Sequence, residues 1–353
     1  MGRRALVIGT GLIGGSVGHT LRSLGWHVSG QDADDATAAR ALALGAVDAV
    51  GDDPEAELVV LATPVGSIVD TARSVLETHP QATVTDVGSV KAAVVTAVDN
   101  PRFVGGHPMA GSEQEGVEGA SASMFDGAVW VLTPTPATDP VSYALVHSVA
   151  SSFGADVITL DPGDHDEVVA VVSHVPHLTA ATLMGLATSR SDEHSTMLRL
   201  AAGGFRDMTR IAAGHPGIWP DICAENRDAI CSVLDALIDE LAEVRAAVAG
   251  ADRSGLLGRL EQARAARLNL PTTAARPDDL VELRVGVPDE PGQLAAVTAT
   301  ATALGVNIYD IEIAHSVEGP RGVLILVVGR DGAGELGAAL EERGYHVGSR
   351  SLS

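Results

Sequence analysis

Short apolar runs alternate with amphipathic stretches through the first half of the chain. Ala5 to Gly9 reads as a strand, Leu12 to Leu24 as a helix, and Trp26 to Gln31 as a second strand ending at Asp32. Strand-like runs recur at Leu58 to Ala62, Thr83 to Thr85, Phe103 to Gly105 and Ala128 to Leu132, with helical patterns between several of them. This alternation predicts an α/β domain built on a mostly parallel, doubly wound sheet. A loop from Thr133 to Pro140, a helix from Val141 to Phe153 and a last strand from Asp156 to Leu160 bring the first boundary to about residue 160.

From Asp164 to Leu268 the period is helical throughout, which predicts an all-α domain over 161–270. Val168 to Met184 is apolar nearly all round, as expected of a helix buried on most sides, in a domain core or between subunits. Gly214, Pro216 and Pro220 interrupt the pattern, and Asp221 to Ala249 resumes as one long amphipathic helix. Residues 271–279 fall in a proline-containing linker, and 280–353 change character again. There, strands at Val281 to Val287, Asn307 to His315, Gly322 to Val328 and Tyr345 to Ser349 frame helices at Pro291 to Leu304 and Gly334 to Glu342, a β-α-β-β-α-β ferredoxin-like order.

Composition narrows the class. With 46% hydrophobic and only 3% aromatic residues, the cores are expected to be aliphatic. A formal charge of -23 argues against nucleic acid or an anionic membrane surface as partner, so an anionic ligand must be held by local donors. Cys223 and Cys231 have neither a disulfide framework nor metal-ligand spacing; they read as small buried hydrophobes in a reducing cytoplasm. The amino-terminal residues run into a strand without the apolar stretch of a signal peptide, and no later run reads as long and apolar enough to span a bilayer.

Three groups of residues carry chemistry. Gly9, Gly11 and Gly14 follow a strand and open a helix: the first suits a tight turn, the second a close approach of pyrophosphate, the third close helix–strand packing. Leu12 and Ile13 lie in that turn, and Asp32 ends the second strand, where a carboxylate accepts from ribose hydroxyls and repels a 2′-phosphate. NAD is therefore expected over NADP, with Arg40 nearby tempering the preference. Thr63, Pro64 and Val65 have the position of a loop covering the dinucleotide.

Asp86, Gly88, Ser89 and Lys91, and then His107, follow strands and so lie at the carboxyl edge of the sheet, where open α/β folds bind ligands. Gly105, Gly106, Pro108 and Gly111 frame His107, a ring able to take a proton from a substrate hydroxyl; Ser89 can hydrogen-bond near a nicotinamide. The third group is His174 and His177 with the glycine-rich segment Gly203 to Arg210. The two histidines share a helix face, but Pro176 between them and the lack of a placed carboxylate argue against a metal site. Arg210 suits bidentate capture of a carboxylate, or alternatively a structural pair with Asp207 or Glu113.

Together GTGLIGGS at 9–16, ATPVG at 62–66, DVGSVK at 86–91, GGHPMAGSE at 105–113, SHVPH at 173–177 and GGFRDMTRIA at 203–212 resemble the prephenate dehydrogenase family, which also includes arogenate and cyclohexadienyl dehydrogenases. The resemblance implies a Rossmann-type NAD domain followed by a helical substrate-binding and dimerisation domain, in a homodimer. It implies NAD-dependent oxidative decarboxylation of prephenate to 4-hydroxyphenylpyruvate, with arogenate dehydrogenase as the alternative within the family and a non-catalytic sensor as the alternative outside it. His107 becomes the acceptor of the ring hydroxyl's proton, and Ser89 the residue orienting His107 and that hydroxyl. His177 and Arg210 become substrate contacts, and Gly203 and Trp219 pocket-lining residues. The carboxyl-terminal unit resembles an ACT domain, with Asp289, Pro291, Gly292, Gln293 and Leu294 at its first turn and Asn307 and Ile308 opening its second strand. That implies paired domains with tyrosine as a possible effector near Gly292 and Asn307.

Overall fold

A computed structural model describes residues 2–111, 114, 116–191, 203–268, 280–288, 290–315 and 321–351. Asp289, Glu113 and the linker expected at 271–279 lie outside the described residues. The chain divides into two compact units, Met1–Leu200 with Met208–Ile238, and Ala201–Asp207 with Asp239–Ser353.

In the first unit β1 (Arg4–Ile8), α1 (Leu12–Ser23), β2 (His27–Gln31), α2 (Asp35–Ala43), β3 (Ala49–Val50), β4 (Leu58–Leu61), α3 (Val65–Thr78), β5 (Thr83–Asp86), α4 (Ala92–Val98), β6 (Phe103–Pro108), β7 (Val129–Thr133), α5 (Pro140–Ser152) and β8 (Asp156–Thr159) build one sheet. Its order is β3-β2-β1-β4-β5-β6-β7-β8. The strands are parallel except that β7 runs against β6. The two-residue β3, too short to stand out as a pattern, is an addition to the sequence reading.

The central strands are apolar on both faces because helices cover both. Ala5, Val7, Leu58 and Val60 face one core with Trp26, Phe125, Trp130 and Phe153. Leu6, Val59, Leu61 and Val84 face the other with Ile68, Ala72 and Val95. β6 changes partner along its length. Phe103 and Val104 pair with β5, whereas Gly105, Gly106, His107 and Pro108 pair with Thr133, Leu132, Val131 and Trp130 of β7.

The helical segment begins with α6 (Pro162–Val169), whose start is explained by Pro162 in the first turn and an Asp161 carboxylate accepting the Gly163 N–H. It passes through a π turn at Ala170–His174 into α7 (Val175–Ser191). Pro176 lacks an N–H and its ring would press on the Val172 carbonyl, so the helix widens and the Val175 N–H reaches back to Ala170. Contrary to the sequence expectation, Pro162–Ser189 is long and apolar enough by length and composition to cross a membrane. It is also less covered than expected, since Val168, Val171 and Val172 are exposed in the single chain. The same continuous helix carries the buried polar residues His165, Asp166 and His174.

After α8 (Gly203–Thr209), the helix expected over Asp221 to Ala249 is two helices, α9 (Trp219–Glu225) and α10 (Arg227–Ala249), followed by α11 (Arg253–Leu268). The break lies at Asn226, which is buried and hydrogen-bonded away from its own helix. Cys223 and Cys231 therefore sit on different helices, and they are partly buried and exposed, respectively, rather than both buried.

The second unit holds β9 (Leu280–Pro288), α12 (Gln293–Ala303), β10 (Ile308–His315), β11 (Arg321–Gly329), α13 (Arg330–Glu342) and β12 (His346–Ser351). Its antiparallel sheet has the order β10-β11-β9-β12. Alternate residues Val281, Leu283, Val285 and Val287 of β9 pack with Leu324, Leu326, Val297, Leu336 and Leu340 in a separate core.

Candidate active site

Gly9 has φ +91° and a Cβ there would lie 2.4 Å from the Ala62 carbonyl oxygen. A Cβ on Gly14 would lie 1.8 Å from the Gly9 oxygen, so β1 and α1 approach as closely as they do only because these two residues lack side chains. At Gly11, by contrast, a Cβ would meet nothing within 4 Å. Leu12 and Ile13 begin α1 beside this open side, where backbone N–H groups and the helix dipole favour a phosphate.

The Asp32 carboxylate is fixed to the turn: it accepts the Thr10 N–H at 2.7 Å through one oxygen and the Asp34 N–H at 3.1 Å through the other. Arg40 pairs with Glu118 at 2.8 Å. Thr63 sits next to the Gly9 turn with a buried hydroxyl that has no hydrogen-bond partner among the described residues. Pro64 caps α3 and Val65 begins it. A glycine cradle, a held carboxylate and an unpartnered buried hydroxyl fit a dinucleotide. Gly9, Gly11, Leu12, Ile13, Gly14, Asp32, Thr63, Pro64 and Val65 would hold it.

At the end of β5, Asp86 and Lys91 form a fully buried ion pair. Asp86 also accepts the Gly88 N–H at 2.9 Å and the Gly106 N–H at 3.1 Å, tying the Ser89 loop to the residue before His107. Burial pulls the Lys91 ammonium below the usual lysine range, against the attraction of Asp86. Gly105 and Gly106 are required by this packing, since Cβ atoms there would lie 2.4 Å from the Thr133 hydroxyl and 2.7 Å from the Asp86 carbonyl oxygen.

His107 is held from an unexpected quarter. Its Nδ1 lies 2.8 Å from Nε2 of His165 on α6, and Nδ1 of His165 lies 2.7 Å from an Asp166 oxygen. Asp166 in turn accepts the N–H groups of Lys91 and Ala92, each at 2.8 Å. The Ser89 side chain is half-buried and makes no hydrogen bond to His107 among the described residues; the ring contact that the structure shows is the one with His165. Burial, followed by the repulsion that His165, Lys91 and His174 exert in their protonated forms, holds the His107 imidazole well below the ordinary histidine range. It is neutral near pH 7 and competent to accept a proton.

The helical segment brings a second pair of rings together. His177 stacks on Trp219 with centroids 3.7 Å apart and planes 14° from parallel. Burial lowers the pKa of His177. His174 meets Trp219 edge-on at 6.1 Å and accepts from Asn226, whose other N–H goes to the Asp166 carbonyl. Trp219 shares an apolar cluster with Val65, Val90, Val175 and Leu178, which joins the cofactor loop, the Ser89 loop and the His177 helix in one patch. Arg210 is exposed in the 3-10 turn Arg210–Ala213, which packs on α7; Gly214 at its end passes His177. Gly203 is exposed at the start of α8 and belongs to the other compact unit.

His165, Asp166 and Asn226 were not singled out from sequence. Their signal was weak: His165 and Asp166 stand in an acidic first helical turn, which ordinarily marks only a helix start.

Residues 17–159 match the family model described as the nucleotide-binding domain of prephenate dehydrogenase, and residues 161–262 match the model for its dimerization domain. A prephenate dehydrogenase of Bacillus subtilis (strain 168) is 36% identical over 337 residues, covering 90% of each chain. The crystal structure of prephenate dehydrogenase from A. aeolicus, in complex with hydroxyphenyl propionate and NAD+, is 30% identical with a TM-score of 0.72; the match covers 77% of this chain and 99% of that one. A Synechocystis arogenate dehydrogenase structure is 32% identical with a TM-score of 0.66, covering 75% of this chain and 98% of that one. With the glycine turn, the held histidine and these matches agreeing across both halves of the first unit, the chain belongs to the prephenate dehydrogenase family.

Proposed function

We propose that this chain catalyses the NAD-dependent oxidative decarboxylation of prephenate to 4-hydroxyphenylpyruvate. The observation that carries the reading is His107, a neutral imidazole fixed through Nδ1 while Nε2 makes no hydrogen bond among the described residues. That nitrogen takes the proton from the hydroxyl on ring C4. Bound NAD supplies the acceptor for the C4 hydride. The ring carboxylate leaves as carbon dioxide, its bonding electrons aromatise the ring, and His107 returns the proton to the phenolic oxygen. Ser89 contributes a hydroxyl beside the site, and Arg210 and His177 with Trp219 receive the carboxylates and the ring. Asp32 selects an unphosphorylated adenosine ribose.

The test is to follow NADH formation with NAD and either prephenate or arogenate. Turnover of prephenate is expected; a large preference for arogenate moves the chain to the sister activity, and no NADH with either leaves a sensor. His107→Ala is expected to bind NAD normally and to lose turnover by roughly 10² or more.

We read the domains as 1–160 for NAD, 161–270 for substrate and dimerisation, and 280–353 as an ACT-type regulatory unit. Support for the last comes from the strand order of its sheet and from the exposure of Pro291, Gly292, Leu294 and Asn307. Gly292 has φ +92° at the turn into α12, and Gln293 accepts the Tyr345 hydroxyl at 2.8 Å. Tyrosine is the expected effector, near Gly292 and Asn307, and persistence of tyrosine inhibition after deletion of 280–353 would refute that. The exposed Val168, Val171 and Val172 on the helical segment support a homodimer through this face. The free cysteines fit a reducing cytoplasm.

A further inference from the structure

We propose that His165 and Asp166 form a two-residue relay that fixes which nitrogen of His107 carries the proton, making both positioning residues for the reaction. The proposal rests on the reading of His107 as the base. A carboxylate has no proton to give, so the 2.7 Å contact between Asp166 and His165 requires the proton on Nδ1 of His165. A neutral imidazole carries a single N–H, and Nε2 of His165 is then a lone pair. That lone pair faces Nδ1 of His107 at 2.8 Å, which is a hydrogen bond only if Nδ1 of His107 is the donor. The proton of His107 is thereby placed on the nitrogen away from the reaction, and Nε2 is left as the acceptor. With the opposite tautomer of His107, two lone pairs would face each other in a site where His165 is fully buried.

The anchor of the relay is over-determined. Asp166 has three donors on its carboxylate, the Lys91 N–H, the Ala92 N–H and the His165 ring, and its carbonyl accepts from Asn226. One side chain from α6 thus caps the helix that follows the Ser89 loop and sets the tautomer of the ring on β6.

Three variants and one spectrum test this. His165→Phe keeps the ring volume but has no acceptor, and kcat is expected to fall by roughly 10² or more while the KM for prephenate and the Kd for NAD stay within about threefold. His165→Gln places a carbonyl oxygen near the former Nε2 and is expected to restore kcat to within about tenfold of the wild type. Asp166→Leu has a similar shape but no acceptor, so nothing holds the proton on Nδ1 of His165, and kcat is expected to fall as for His165→Phe. In the unaltered full-length protein, long-range ¹H–¹⁵N spectra are expected to show His107 protonated at Nδ1. An Nε2–H tautomer for His107, or an unchanged kcat in a folded His165→Phe protein, would overturn the relay. The spectrum decides the matter if the variants do not fold. Loss of turnover in His107→Ala with no loss in His165→Phe removes the relay alone, whereas normal turnover in His107→Ala removes the base reading itself.

Discussion

Acidification should cost this protein stability through His174, a residue outside the proton-transfer step. The ring is 1% exposed and its pKa is lowered from 6.5 to about 4, by burial first and by His165 next, with Asp166 opposing. The geometry gives an independent reason. The Asn226 amide donates one N–H to the Asp166 carbonyl at 2.8 Å and the other toward Nδ1 of His174 at 3.2 Å, so a proton on that nitrogen would set two donors against each other. Because the folded-state pKa lies below the unfolded value, the unfolded chain binds the proton more tightly. The contribution of neutral His174 is complete above 6.5, declines as pH falls and is lost below about 4. A drop of that size corresponds to about 3–4 kcal/mol at ~1.4 kcal/mol per pH unit. Urea unfolding of the wild type and of His174→Gln, at one protein concentration and several values across this window, isolates the term. Gln can still accept from Asn226 but does not titrate. The wild type should lose about 3 kcal/mol more than the variant between neutral pH and pH 4, and parallel pH dependences would refute the reasoning.

Other expectations concern the site directly. The acid limb of kcat/KM should fall at a pH below the ordinary histidine range, because His107 becomes protonated, and inactive as a base, only there; a limb at or above that range excludes His107 as its source. Gly14→Ala drives a methyl group into the Gly9 oxygen and should abolish NADH binding in a fluorescence titration. Gly11→Ala, with space around it, should leave thermal stability unchanged and weaken only the binding. Lys91→Met strands the buried Asp86 carboxylate and should lower stability by about 3–5 kcal/mol, partly recovered by adding Asp86→Asn, as read from urea midpoints. Glu118→Gln releases Arg40 from its pair and should narrow the preference for NAD over NADP by roughly tenfold in direct binding, as for a gained charge-assisted bond to phosphate; an unchanged ratio means Arg40 does not face the 2′ position.

What was legible in sequence was local. The glycine turn, Asp32 and His107 each announce themselves through neighbours within a few residues, because the turn that needs the glycines and the strand that displays the ring are built from adjacent positions. His165 and Asp166 act on residues 58 and 75 positions away, and that pairing depends on α6 crossing the end of β6. No periodicity encodes it. The break at Asn226 was hidden for a related reason: the apolar spacing of Ile222 and Ile230 runs through it, since both face one cluster, while the polar bonds that end α9 come from Asp166 and His174. The orienting role of Ser89 comes from the family resemblance; its loop position alone indicates only a hydroxyl near the site, because which side chain reaches a ring nitrogen is set by tertiary contact, as His165 illustrates.

The handover on β6 has a consequence for motion. Beyond Val104 the strand has no ladder to β5, and Gly105 to Pro108 are paired only with β7, which in turn carries β8. β7, β8 and the tip of β6 therefore form a leaf outside the parallel ladder, linked to it by the Asp86 contact with the Gly106 N–H and by the core that Trp130 and Leu132 share with Ala5, Val7, Leu58 and Val60. Amide exchange should reveal it as a separate cooperative group, with Val131 and Leu132 exchanging together and apart from Val59 and Val60. The imidazole rides on that leaf, while the serine loop and the nucleotide turn stay with the sheet.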